Sequence, residues 1–266
     1  MIAYPVVDSM TMLRRSLRRM RRYPSLTFFI AALPIIFLLL FTFVLGGAMG
    51  AGLGAQAPAG GRDAYLAYVM PGILVLTVAG AGTGTAISVS MDMTNGIIAR
   101  FRTMAIARAS VLTGHVLGTV IQVMLASLLV VAVAVVIGFR PTTAPIAWLA
   151  AALLIVLTAV AIAWLSVAMG LVTDSVETAS NLPQVLLLVM FLSSALVPID
   201  TLPEPLRTIA QVNPFTQVVE TIRGLLFGTE IGTQGVLAVA WCVGFSVVGF
   251  LWATRLYGRD VRARAA

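Results

Sequence analysis

The chain contains no lysine; all 17 of its basic side chains are arginine. A phosphate-binding loop of the Walker A kind needs a lysine to reach the outer phosphates. The chain therefore has no ATP site of that kind, and if ATP drives it, another polypeptide supplies the site. Cysteine and histidine occur once each, as Cys242 and His115. A single thiol inside an apolar run excludes an internal disulfide and reads as packing. A single histidine excludes a multi-histidine metal centre within one copy. Charge is also scarce. Only 10% of residues are charged, against roughly 25% in a soluble chain. There is no G-x-S-x-G, no H-E-x-x-H and no carboxylate pair inside a span, and Ser193-Ser194 has no His or Asp nearby in sequence. That removes the usual signatures of a membrane-embedded hydrolase.

What is present is apolar. Of the 266 residues 60% are hydrophobic, and the mean hydropathy is +1.03. This is the composition of an all-α integral membrane protein, one membrane domain with no length left for a separate globular one. Uncharged runs over 26–45, 66–89, 111–137, 146–172, 182–197 and 235–254 give six transmembrane helices, each near the roughly 20 residues a span requires except the fifth, which is short and interrupted by Pro183. The first run is too long for the core of a signal peptide, which is about 7–15 residues, and Pro34 is placed to kink it. Gly80 and Gly84 form a G-x-x-x-G pair suited to close approach of another helix. His115 is placed to hydrogen-bond locally. Residues 1–25 precede the transmembrane domain of 26–254, and residues 255–266 form a basic tail.

Three stretches are amphipathic. Over 8–24, Met10, Leu13, Leu17 and Met20 share one face, and Arg14, Arg15, Arg18, Arg19, Arg21 and Arg22 cover the remainder. That is an N-terminal interfacial helix for an anionic leaflet, ended by Pro24. Nucleic-acid binding is the competing reading of the Arg cluster, and membrane-flanking charge already explains it. Over 91–110 the sequence is MDMTNGIIARFRTMAIARAS. Asp92, Arg100, Arg102 and Arg108 keep it out of hydrocarbon, while Ile97, Ile98, Phe101, Met104 and Ala105 recur at helical spacing. This short helix either docks on another protein or lies unpartnered at the membrane surface. Over 198–230, Pro198, Pro203, Pro205 and Pro214 break the chain. Asn213 suits an N-cap and Pro214 a first helical position. Phe215, Val218, Val219, Ile222, Leu225 and Leu226 then form an apolar stripe, with Glu220 and Arg223 spaced to pair beside it. The stretch reads as a broken helical hairpin that is re-entrant from the outer face and buried against protein, or as an amphipathic loop at the interface.

Six spans place both termini on one side. Arg62, Arg140, Arg207 and Arg223 fall on the other, and the remaining thirteen Arg fall with the termini. The positive-inside bias puts the termini and 91–110 in the cytoplasm and the hairpin outside. No span carries a charged residue at its middle, as an ion- or proton-coupled multidrug carrier would require. That carrier remains the alternative function, with His115 its one titratable group. Phe28, Phe29, Phe37, Met124, Trp164, Met190 and Phe191 are the lining available for lipophilic cargo.

With these residues in place, the chain resembles the permeases of ABC-2 type transporters, within them the daunorubicin-resistance-like exporters of drugs and lipids. The resemblance is carried by Asp92, Gly96, Arg100-Phe101-Arg102 and Arg108 in the cytoplasmic loop, with Met104 on its stripe. It is also carried by Pro198, Leu202-Pro203, Asn213-Pro214 and Arg223 in the hairpin. Ala105 stands where the family usually has a proline. The resemblance implies that 91–110 is the coupling helix that docks in a cleft of the ATPase, and that 8–24 is the family's interfacial connecting helix. It implies two copies of an ABC ATPase subunit and a second permease, identical or related, all at a bacterial cell (inner) membrane. No cofactor belongs to this chain; ATP and Mg sit on the partner ATPase. The expected activity is ATP-driven outward movement of a lipophilic drug or lipid-like amphiphile.

Overall fold

The computed structural model describes residues 3–22, 24–52, 61–96, 108–141, 143–173 and 175–263. Among them every regular element is a helix. α1 (Ala3–Arg22) carries the basic amphipathic pattern. α2 (Pro24–Leu40) runs through a π-helical turn at Phe41–Leu45 into α3 (Gly46–Gly52). α4 (Gly61–Thr94), α5 (Arg108–Val136) and α6 (Pro145–Val172) follow as long rods. Then come α7 (Val176–Asn181), α8 (Gln184–Phe191), a 3-10 turn at Ile199–Thr201, α9 (Glu204–Val212), α10 (Pro214–Phe227) and α11 (Gln234–Ala263).

Five of these stretches are long and apolar enough to cross a bilayer: Ile30–Gly50, Gly61–Thr94, Ser110–Val136, Pro145–Val172 and Gln234–Gly258. The chain is a multi-pass membrane protein. The span expected over 182–197 takes a different form. Helix stops at Phe191, and the apolar stretch Val176–Phe191 is broken at Leu182-Pro183. At 1.5 Å per residue those 16 residues reach about 24 Å, short of a hydrocarbon core of about 30 Å. Pro183 removes an amide donor, and the turns beyond Phe191 have no helical ladder to continue.

α4 is the axis. Of its most apolar stretch 83% is buried, against 22% in α11. α6 packs on α4 and α11, α10 fits between α4, α6 and α11, and α1 lies along α5. The outer faces of the other rods stay apolar and exposed, as at Leu128, Val136 and Val236. In a membrane protein that is the lipid-facing side.

The glycine pair expected to seat a helix is not the one that does. A side chain on Gly80 or Gly84 would meet nothing within 4 Å. Close approach falls at other glycines, among them Gly114 and Gly118, one turn apart on α5, where Met12 and Ser16 of α1 press on the backbone. Small residues four apart let two helices approach whichever sequence context they occupy, so spacing alone could not choose between the pairs. α1 ends at Arg22, two residues before the Pro24 expected to stop it, and Pro24 also opens α2, a position where its missing amide costs nothing.

Candidate functional site

Asp92 stands in the last turn of α4 and is buried. No basic residue lies one helical turn from it, so its carboxylate must find partners on other elements. Arg15 of α1 donates from Nη2 to both carboxylate oxygens, at 3.0 and 3.1 Å. His115 of α5 places Nε2 at 3.2 Å from Oδ2. Beside them Ser16 Oγ donates to the Gly114 carbonyl at 3.5 Å. Three helices are thus joined through one carboxylate. The sequence reading put Arg15 on the membrane surface and gave His115 a local bond; both instead turn to Asp92, 77 and 23 positions away in sequence. A lone Asp ending a span, with no basic residue near in sequence, was the available signal for such a long-range pair.

The same end of α4 leads into the expected docking loop. The Asn95 amide donates to the Met91 carbonyl at 2.9 Å, and the Gly96 amide donates to that of Met93 at 3.1 Å. Gly96 has φ +67°, where any side chain would be strained. The helix expected over 91–110 is too long at both ends, because 91–94 belong to α4 and 108–110 to α5. Arg100, Phe101, Arg102 and Met104 lie outside the described residues, as does the side chain of Arg108.

A second cluster forms near the start of α4, around Arg223 of α10. Its guanidinium pairs with Glu220 and donates to the Tyr68 carbonyl at 3.0 Å and the Ser194 carbonyl at 3.1 Å. It also lies 3.9 Å above the Tyr68 ring, a cation–π contact. Tyr68 Oη donates to the Ser194 carbonyl at 3.0 Å, and Tyr65 Oη to the Leu196 carbonyl at 3.1 Å. In the irregular segment 192–198 the Ser194 and Leu196 carbonyls are therefore satisfied from α4 and α10. The Glu220–Arg223 pair was expected; Tyr65, Tyr68 and Ser194 were not, because nothing in their spacing marks them.

The hairpin residues fall as follows. Pro198 precedes the 3-10 turn and accepts from Thr201 Oγ1. Pro203 caps α9. Asn213 caps α10, its Oδ1 accepting from the Phe215 amide at 2.9 Å, with Pro214 as first helical residue. Asn213 Nδ2 also donates to the Leu192 carbonyl at 3.0 Å. The two legs differ. On α10 the stripe Phe215, Val218, Val219, Ile222 and Leu226 is buried, whereas α9 leaves Leu206, Ile209 and Val212 exposed.

A half-open cavity of about 600 Å³ lies between α1, α2, α4, α5 and the side of α8. Of the aromatic and Met residues expected to line a cargo path, none whose side chain is described lines it; the side chain of Phe29 lies outside the described residues. Phe37 packs on Phe41 and Phe191, and Trp164 on Phe250, Met190 is in the core and Phe28 is exposed. Glycines, hydroxyls and aliphatic side chains face the cavity instead, and these carry no sequence signal of a pocket. Thr85 and Thr119, hydroxyl oxygens 2.6 Å apart, join α4 to α5 along its wall.

Residues 8–227 match the family model described as ABC-2 type transporter. The chain belongs to that family. It is similar, at 28% identity over 228 residues, to the daunorubicin resistance ABC transporter permease protein DrrB1 of Streptomyces coeruleorubidus, an alignment covering 85% of this chain and 77% of the relative. It is similar, at 24% identity over 216 residues, to the probable doxorubicin resistance ABC transporter permease protein DrrC of Mycobacterium tuberculosis, covering 81% of this chain and 75% of that one. ABC-2 chains are membrane permeases that work with ATP-binding subunits, which agrees with a sequence lacking the Walker A lysine.

Proposed function

We propose that this chain is the permease half of a bacterial drug or lipid exporter, moving a lipophilic amphiphile outward when a separate pair of ATPase subunits closes on ATP and Mg. The observation that carries the reading is the joint at Asp92. It ties α1 and α5 to the last turn of α4, the end from which the sequence continues into 95–107. A partner pressing on that loop would move three helices at once. Phe101 supplies a buried anchor for such a partner, and Arg100, Arg102 and Arg108 supply oriented charge.

In this reading the chain crosses the membrane six times with both termini in the cytoplasm. The short α7–α8 segment serves as fifth crossing, and its length is made up on the outer face by the hairpin α9–α10, re-entrant on the α10 side. α1 lies on the inner leaflet, and a second permease, identical or related, completes the pathway. The test is co-purification of the ATPase together with export from cells. Phe101→Ala and Arg102→Glu are expected to abolish both while the permease still reaches the membrane; ATP-driven export surviving both substitutions would remove the docking role from this loop. Export that collapsed with the proton gradient but not with ATP depletion would favour the ion-coupled carrier, working through Asp92 and His115.

A further inference from the structure

We propose that the cavity beside Gly80 and Gly84 is a binding site for an amphiphile whose head group is uncharged and hydrogen-bonding. Its volume of about 600 Å³ falls in the range of roughly 300–1,000 Å³ typical of small-molecule sites. Its lining combines apolar side chains, among them Leu33, Leu76 and Leu187, with the polar Ser16, Thr119, His115 and Gln122. A molecule with a hydrocarbon part and a polar end meets both kinds of surface there.

Gly80 and Gly84 supply the width. They lie one turn apart on α4 and face the cavity, and a methyl group on either would touch nothing. Gly114 and Gly118 show what glycine does in this bundle when it seats a helix, because there α1 fills the space. At Gly80 and Gly84 no described residue takes the space.

The head-group chemistry follows from the charges. Among the described residues no Asp, Glu or Arg lines this cavity. The adjoining small cavity holds Asp92 and Arg15, already paired with each other, with His115 shared between the two cavities. A cationic head group finds no free carboxylate and an anionic one no free guanidinium. A charge between helices without a counter-charge is strongly disfavoured. Hydroxyl, ether and amide groups are served by the wall as it stands.

The inference rests on the export reading only for the ligand's fate. Binding is tested on the purified full-length chain with a diazirine-bearing dodecyl glycerol ether as photoaffinity probe, the labelled peptides being mapped by mass spectrometry. Labelling is expected to be saturable and confined to the lining segments 16–20, 30–34, 76–91 and 115–122 and to Leu187. Unlabelled dodecyl glycerol ether should compete at least tenfold better than dodecyltrimethylammonium or dodecyl phosphate. Gly84→Leu should lower labelling at least tenfold. Gly244→Leu, on an equally open face of α11 away from the cavity, should leave it unchanged. Equal competition by the charged probes, or labelling that survives Gly84→Leu, would overturn the site. Loss of labelling with export intact would uphold the site and take it off the cargo route, while the export reading stands or falls by the loop substitutions.

Discussion

The two ends of α4 are fixed in opposite ways. Near Tyr68 a single arginine is the hub. Arg223 reaches one carboxylate, two carbonyls and a ring, and only 14% of its side chain is exposed. At Asp92 a single carboxylate is the hub, and two side chains from different helices, Arg15 and His115, come to it, with Arg15 42% exposed. A guanidinium has five donors in a fixed fork and can hold several elements in one geometry. A carboxylate held by one solvent-facing arginine can exchange that partner for water at modest cost. The first arrangement suits a place that must keep its shape; the second suits a place that must be moved.

The comparison is broken most severely by Arg223→Ala. It leaves Glu220 without its cation and strips donors from two carbonyls, and we expect a loss of about 3–5 kcal/mol, the range for breaking a buried pair. Chemical unfolding of the purified protein in detergent measures it, and a loss below about 1 kcal/mol would remove the distinction between the two ends. Asp92→Asn should cost less, about 1–3 kcal/mol, since Arg15 regains water and the amide keeps some hydrogen bonding. Its effect on export should exceed its effect on stability. An Asp92→Asn, Arg15→Gln double-mutant cycle isolates the coupling term. Arg207→Ala is the control for exposure. Arg207 reaches Asp200 at 2.9 Å, yet Asp200 is exposed, so the expected change is within about 1 kcal/mol and screened by salt.

Local chemistry was legible in the sequence. Asn213-Pro214 announced the start of α10, because an N-cap and a first-turn proline act within a few residues, and the stripe from Phe215 to Leu226 announced its buried face. Pro183 announced the weak fifth span. Partnerships across the bundle were not legible. Asp92 was read with the loop beside it, since nothing in 91–110 states that Arg15 lies against it. Gly80 and Gly84 carried the same spacing as Gly114 and Gly118, and only the position of α1 decides which pair is filled. The cavity escaped for a related reason. Aromatic and Met residues were the visible candidates for cargo contact; Phe37, Trp164 and Met190 went into the packing, and the pocket is lined instead by a mixture of aliphatic, Met, hydroxyl and glycine residues that share no spacing.

The unbroken length of α4 has a mechanical consequence. Thirty-four residues make a rod of about 51 Å, and a helix transmits a push along its axis with little compression. Its one soft joint is near the far tip, where Pro71 cannot donate to the Ala67 carbonyl and the turn is free to bend. A stroke delivered at the Asp92 end therefore travels almost the full thickness of the membrane before it can be absorbed. It arrives one turn from Tyr68, at the base of the Arg223 cluster that joins α4 to α10.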